Sequence, residues 1–347
     1  MAAGNQDGGR SALIFLGTGC SGSVPNAMCL IQASDPCHVC AQALSIPPDQ
    51  NPNYRCNTSL LIDRCGSDGN HSYILIDVGK TFREQVLRWF TRYKIPRVDS
   101  IILTHEHADA VLGLDDIRAI QPHSPTNDID PTPIYLSHYA MESVAVKFPY
   151  LIKKKLVEGQ EVRRVAQLDW RIIEESIETP FLVSDLQFVP LPVMHGEDYI
   201  CLGYLFGERC RIAYISDVSR FPASTEHVIS KDGAGQLDLL ILDTLYKTGS
   251  HNVHLCLPQT LEAVKRICPK KALLIGMNHQ FDHHVDNKFL MEWSERLWNY
   301  FLQFTFCTGK KYRYLKKLTL STFLLFAYRE GIQVQLAHDG LRVPVDL

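Results

Sequence analysis

Short apolar runs recur along the chain, and many end abruptly at a histidine, an aspartate or a glycine. Residues 11–16 run into Gly17-Thr18-Gly19, which predicts a strand closed by a tight loop. Residues 59–63 and 73–77 read as paired strands about a turn at 66–70. Residues 100–103 are a β-branched run that stops at Thr104, and further strand-like runs lie at 134–136, 186–193, 201–206, 211–215, 239–242 and 272–275. Residues 81–93 carry Phe82, Val86, Trp89 and Phe90 at helical spacing, with Pro96 beyond the end. Helical patterns also occupy 112–120, 140–148, 257–267 and 287–295, whereas 36–57 reads as a long irregular excursion. Strands alternate with helices but several pair as hairpins, so the pattern predicts an α/β (α+β) domain with mixed sheets over residues 1–347. Asp339-Gly340 reads as a hairpin turn.

One block differs from its surroundings. Residues 297–328 hold ten of the 33 aromatics and five Lys or Arg, with no acid. It reads either as a basic, aromatic interaction hairpin or as an anomalous insert, for example a translated intron. Its apolar tail, 318–328, is shorter than a membrane-spanning helix requires.

Composition narrows the class. With 347 residues, a net charge of −3 and 46% hydrophobic residues, a large buried core is available and a nucleic-acid-coating surface is not indicated. No apolar run reaches the roughly 20 residues of a membrane span, and residues 1–10 lack the apolar core of a signal peptide. Eleven cysteines, an odd and irregularly spaced set, argue for reduced thiols and a cytoplasmic or nuclear setting.

The chemistry concentrates at Thr104-His105-Glu106-His107-Ala108-Asp109, just beyond a buried strand. A lone His-x-His is weak evidence, but His195, Asp217 and Asp77 also follow strand-like runs, where a rigid scaffold converges ligands. Imidazoles with carboxylates suit Zn²⁺, Mn²⁺ or Fe²⁺. Cys37-His38-Val39-Cys40 is a separate Cys-x₂-Cys half of a structural zinc site. Gly17-Thr18-Gly19 is not a P-loop, since no Lys-Ser or Lys-Thr follows.

These residues carry a resemblance. Ile76-Asp77-Val78-Gly79, the His105–Asp109 cluster, Met194-His195 and Ser216-Asp217 resemble successive motifs of the metallo-β-lactamase superfamily. Phe15-Leu16-Gly17-Thr18-Gly19, Tyr54-Arg55-Cys56 and His279-Gln280-Phe281-Asp282 resemble one branch, the phosphoribosyl cyclic phosphate phosphodiesterases and their eukaryotic relatives. The resemblance covers about residues 11–296 and resumes at 329–343; the block 297–328 has no counterpart.

It implies a four-layer αββα sandwich with two mixed sheets and metal at one edge. The first metal's ligands would be His105, His107, His195 and Asp217, with Asp109 beside them and Asp77 bracing the loop. Ala110 and Gly276 replace two histidines of the family's second metal site, so one catalytic ion is expected; His283 and His284 lie nearby at a spacing that does not match. The structural zinc would take Asp35, Cys37, Cys40 and His279, with Cys29 or His38 as substitutes for Asp35. His254 matches the position of the proposed general acid.

The function this implies is a metal-dependent phosphodiesterase acting on a small cyclic phosphate or nucleotide-like ester. A thioesterase-type hydrolase on the same scaffold and a catalytically weakened binding protein remain as alternatives. The resemblance also brings a homodimer as an expectation.

Overall fold

The computed structural model describes residues 9–32, 34, 36–124, 129–152, 165–307 and 331–347, with no side chains described from 297 to 307. Among the described residues, fourteen strands form two sheets of seven. The first contains β1 (Ala12–Gly17), β2 (Ser59–Cys65), β3 (His71–Ile76), β4 (Ser100–Ile102), β5 (Thr132–Ser137), β6 (Leu168–Ile173) and β14 (Arg342–Pro344). The second contains β7 (Phe181–Val183), β8 (Leu186–Met194), β9 (Ile200–Phe206), β10 (Ile212–Ile215), β11 (Leu239–Asp243), β12 (Lys271–Ile275) and β13 (Gln333–Leu336). Their orders are β14-β1-β2-β3-β4-β5-β6 and β13-β12-β11-β10-β9-β8-β7. Both are mixed: β1 and β2 pair antiparallel while β3, β4 and β5 run parallel, and β10 pairs antiparallel with β9 but parallel with β11.

Strand alternation builds the layers. Leu13 and Phe15 of β1 pack with Phe188, Tyr204 and Ile241 between the sheets. Ile14 and Leu16 point the other way, onto Phe82, Trp89 and Val111. On the far side, Leu240 and Leu242 meet Leu261 and Val264 of the helix Leu257–Ile267. A sheet buried on both faces needs apolar residues at both parities, and the continuous apolar strands supply them. The result is the four-layer αββα sandwich.

Several local expectations are corrected. Residues 112–120 hold a 3₁₀ helix, Leu114–Ala119, behind the short helix Ala108–Val111. At six residues it is long for a 3₁₀ helix, which commonly serves as a short connector. The helix from Phe82 to Tyr93 contains a π-helical stretch, Val86–Phe90. β6, β7 and the helix Ala223–Ile229 lacked a clear sequence signal; β6 ends its sheet and exposes Arg171 and Ile172. Asp339-Gly340 is not a hairpin turn. It lies on the crossover from β13 to β14, which belong to different sheets, and Asp339 is buried, accepting from Thr18 Oγ1 at 2.8 Å and Cys56 N–H at 2.7 Å. The last helix among the described residues is His283–Cys307, longer than the expected 287–295 and continuing into the aromatic block. The remainder of that block, 308–328, and Asp35 lie outside the described residues.

Candidate metal centre

β3, β4, β8, β10, β11 and β12 all end at the same edge of the sandwich. Parallel pairing aligns β3 with β4 and β10 with β11 and β12, while two antiparallel steps bring β8 into the same direction. Loops beyond those ends carry Asp77, His105, His107, His195, Asp217 and Gly276, and Asp243 is the last residue of β11. Two bonds tie the sheets together just before the histidine loop: Tyr204 Oη donates to the Leu103 carbonyl at 2.6 Å, and Leu202 N–H to the Thr104 carbonyl at 3.0 Å.

Three imidazoles converge there. The ring centroids of His105, His107 and His195 lie 4.6, 5.7 and 5.2 Å apart, and their available nitrogens fall within 4.8 Å of one another. Asp217 joins through a carboxylate oxygen 4.0 Å from His105 Nε2. Hydrogen bonds assign the tautomers of two rings. Thr104 donates its N–H and its hydroxyl to the two oxygens of Asp77, each at 2.8 Å. With its single hydroxyl proton committed, Thr104 Oγ1 accepts from His105 Nδ1–H at 2.8 Å. His105 Nε2 then carries a bare lone pair, buried and without a partner. His195 donates Nδ1–H to the Val253 carbonyl at 2.7 Å, which likewise frees its Nε2.

An orphaned imidazole lone pair facing a carboxylate and two more imidazoles fits a divalent cation. Burial drives His195 down to about 4, and burial with the neighbouring His105 lowers His107, so both rings are neutral ligands near pH 7. Burial raises Asp217, but His105, His254 and His195 outweigh it and hold the carboxyl down at about 2. Burial likewise pushes Asp77 up to about 7, against the pull of His105 and the Thr104 donors.

His254 and Asp243 form the other side of the recess. His254 Nδ1 lies 2.8 Å from Asp243 Oδ2 and 4.0 Å from Asp217 Oδ1. Burial disfavours the imidazolium, but the Asp243 carboxylate outweighs it and holds His254 up at about 9. Asp109 lines the same recess with Ala110 and Gly276, yet the ligand clusters among the described residues do not include it. His283 and His284 line a separate cavity.

Sequence reasoning missed Asp243, although an aspartate closing the buried run Leu239–Asp243 is the same signal that marked Asp77 and Asp217. Tyr199 was also missed, and no sequence signal marks it. Its ring stacks on His107 at 5.2 Å and 11°, and its hydroxyl donates to Glu106 Oε2.

The cysteine loop forms a second cluster. Cys29, Cys37, Cys40 and His279 bring their ligand atoms within 4.8 Å, both Cys37 Sγ and Cys40 Sγ being 3.3 Å from His279 Nδ1. Cys29 therefore stands where Asp35 was expected to complete the set. Backbone N–H groups of Cys37, Cys40 and Asn26 point at the three sulfurs; the Cys37 donor lowers the Cys29 thiol, whereas burial pushes Cys40 up to about 12 against its Asn26 donor. Three thiols and one imidazole are a closed structural zinc set.

Comparison with known proteins agrees with this geometry. The beta-lactamase superfamily domain matches residues 72–277. A diphosphatase described as a new member of the PhnP family superposes with a TM-score of 0.66 and 25% identity, covering 97% of this chain and 98% of that one. Zn²⁺-bound PqqB from Methylobacterium extorquens shares the fold, with a TM-score of 0.59 and 14% identity over 96% of this chain and 100% of that one. An octanoyltransferase of Porphyromonas gingivalis (strain ATCC BAA-308 / W83) is 28% identical over 274 residues, 79% of this chain. The chain spans about half, 47%, of that relative's length. The chain belongs to the metallo-β-lactamase superfamily of hydrolases, near its PhnP branch.

Proposed function

We propose that the chain is a phosphodiesterase working with one catalytic divalent ion, zinc or else manganese or iron, held by His105, His107, His195 and Asp217. The carrying observation is the pair of imidazoles whose tautomers are set by Thr104 and Val253, leaving both Nε2 lone pairs free beside His107 and Asp217. When bound, such an ion lowers the pKa of a coordinated water to about 7 and withdraws charge from a phosphoryl oxygen. The remaining work falls to the chain. Asp109 lines the recess where it can orient the attacking water and take its proton. His254, held protonated by Asp243, donates to the departing oxygen. Asp77 keeps the His105 loop in place through Thr104. Ala110 and Gly276 supply no ligand for a second ion, and a structural zinc belongs to Cys29, Cys37, Cys40 and His279.

The diphosphatase relative supports a phosphorus ester or anhydride as substrate. The octanoyltransferase match supports a second reading, hydrolysis of an acyl thioester. A departing alkoxide needs a proton far more than a thiolate does, so the buried donor at His254 favours the phosphodiester. The test is a metal-loaded preparation assayed against bis-p-nitrophenyl phosphate, 2′,3′-cyclic nucleotides and an acyl thioester. Phosphodiester turnover lost in Asp217→Ala supports the proposal, and thioester turnover alone replaces it with the second reading. No turnover of any of them by metal-loaded protein would leave a binding protein.

A further inference from the structure

We propose that a second cavity, bordered by Arg92, His283 and His338, binds a phosphate group. This open cavity has a volume of about 280 Å³ and shares no lining residue with the catalytic recess. Its wall also includes Asp49, Asn51, Trp89, His284 and Asp339.

Asn287 assigns the proton of His283. Its Oδ1 accepts the Leu336 N–H at 2.8 Å, which turns Nδ2 toward His283 Nε2 at 3.1 Å. An amide nitrogen only donates, so His283 Nε2 accepts and the proton sits on Nδ1. That N–H is buried and has no acceptor among the described residues. A buried donor without an acceptor is costly, and a ligand oxygen would relieve it.

His338 is set the opposite way. Its Nδ1 donates to the Asp339 carbonyl at 3.0 Å, which leaves Nε2 as an acceptor. The two rings stand 5.3 Å apart. Burial, with His338 and Arg55 nearby, drives His283 down to about 3, and burial also lowers His338, so both rings keep these neutral roles near pH 7.

Arg92 supplies the charge. Its guanidinium lies 5.8 Å from the Trp89 ring and donates to the Asp49 carbonyl at 3.3 Å, and it forms no ion pair among the described residues. The matching ligand offers acceptor oxygens to Arg92 and His283 Nδ1–H, and a hydroxyl proton to His338 Nε2. Hydrogenphosphate has both, and a phosphate monoester has both in its monoanion, the minor form at pH 7. Sulfate and carboxylates lack the proton at neutral pH, and a metal ion would meet N–H groups instead of lone pairs at His283 and Arg92.

The test titrates inorganic phosphate into the metal-loaded full chain and follows the histidine side chains by ¹H–¹⁵N correlation. Saturable shifts of His283 and His338 are expected, with affinity weakened about tenfold or more in Arg92→Gln and a similar margin of phosphate over sulfate. Arg92 is exposed, so that variant leaves the core intact. Glycerol phosphate run in parallel separates an ester ligand, which binds more tightly, from the free ion, which binds at least as well. Resonances of His283 and His338 that do not move, equal phosphate affinity in wild type and Arg92→Gln, or zinc shifting these rings in place of phosphate would each overturn the assignment.

Discussion

Asp243 reaches His254 through space that Gly276 leaves open: Asp243 Oδ2 lies 2.8 Å from His254 Nδ1, and a Cβ on Gly276 would stand 2.4 Å from Asp243 Oδ1. Position 276 is where the family resemblance places a histidine of the second metal site. A side chain there would press on the present Asp243 carboxylate, whose Oδ1 would have to shift and could carry the Oδ2 that meets His254 with it.

Asp243→Asn should therefore lower turnover of esters with poor leaving groups by about tenfold to a hundredfold. Bis-p-nitrophenyl phosphate, whose leaving group departs without a proton, should be affected much less. Gly276→Ala should act in the same direction, since the new Cβ meets Asp243 and the φ of +76° strains any L residue. Equal losses on both substrate types would remove the acid role of His254.

Two metal populations should be separable by substitution. Asp217→Asn is expected to remove about one ion per chain while the cysteine cluster stays loaded. Cys29→Ser should remove zinc from that cluster and lower the melting temperature, with the catalytic ion retained. Elemental analysis with thermal melts checks both, and three or more ions per chain in the wild type would contradict the single catalytic site.

Asp77→Asn leaves one Thr104 donor facing an amide N–H in place of a carboxylate oxygen. A stability loss of about 1–3 kcal/mol is expected from the buried mismatch. Catalytic-metal affinity should fall by about tenfold to a hundredfold, because the Thr104 hydroxyl no longer sets the His105 tautomer. Chemical denaturation and competitive chelation measure the two effects separately.

Asp339 predicts a pH dependence of stability. Burial raises its carboxyl to about 7, despite the opposing Cys56 and Thr18 donors and the charge of Arg55. The folded state thus holds this proton more tightly than the unfolded chain, whose aspartates titrate near about 3.9. The contribution is complete below that lower value and is lost as pH rises through about 7. Relative to Asp339→Asn, wild-type stability should decline from about pH 4 to about pH 7 and level off above that in denaturant melts. A constant difference would mean that folding leaves the Asp339 carboxyl unshifted.

Much of the catalytic edge was legible because its residues obey a local rule: a buried apolar run followed at once by a polar ligand. His105, His107, His195 and Asp217 follow that rule, and the structure brings them together. Asp243 follows it too and was passed over, because it lay outside the motifs that carry the resemblance. Tyr199 follows no such rule. Its place against His107 depends on the path of the loop after β8, which no spacing of residues encodes. The cysteine cluster was legible as Cys37, Cys40 and His279, but Cys29 was only a substitute for Asp35, since loop closure over eight residues cannot be read from order alone.

What the sequence determined by itself was the layering and the donor chemistry, because apolar periodicity dictates which faces are buried and residue type dictates which atoms can bind a cation. What only the tertiary structure decided was which groups crowd or complete one another. Asp339 is a buried crossover anchor because β13 and β14 fall in different sheets. Gly276 makes room for Asp243, and Asn287 sets the proton of His283, through contacts between segments whose proximity exists only once the chain has folded.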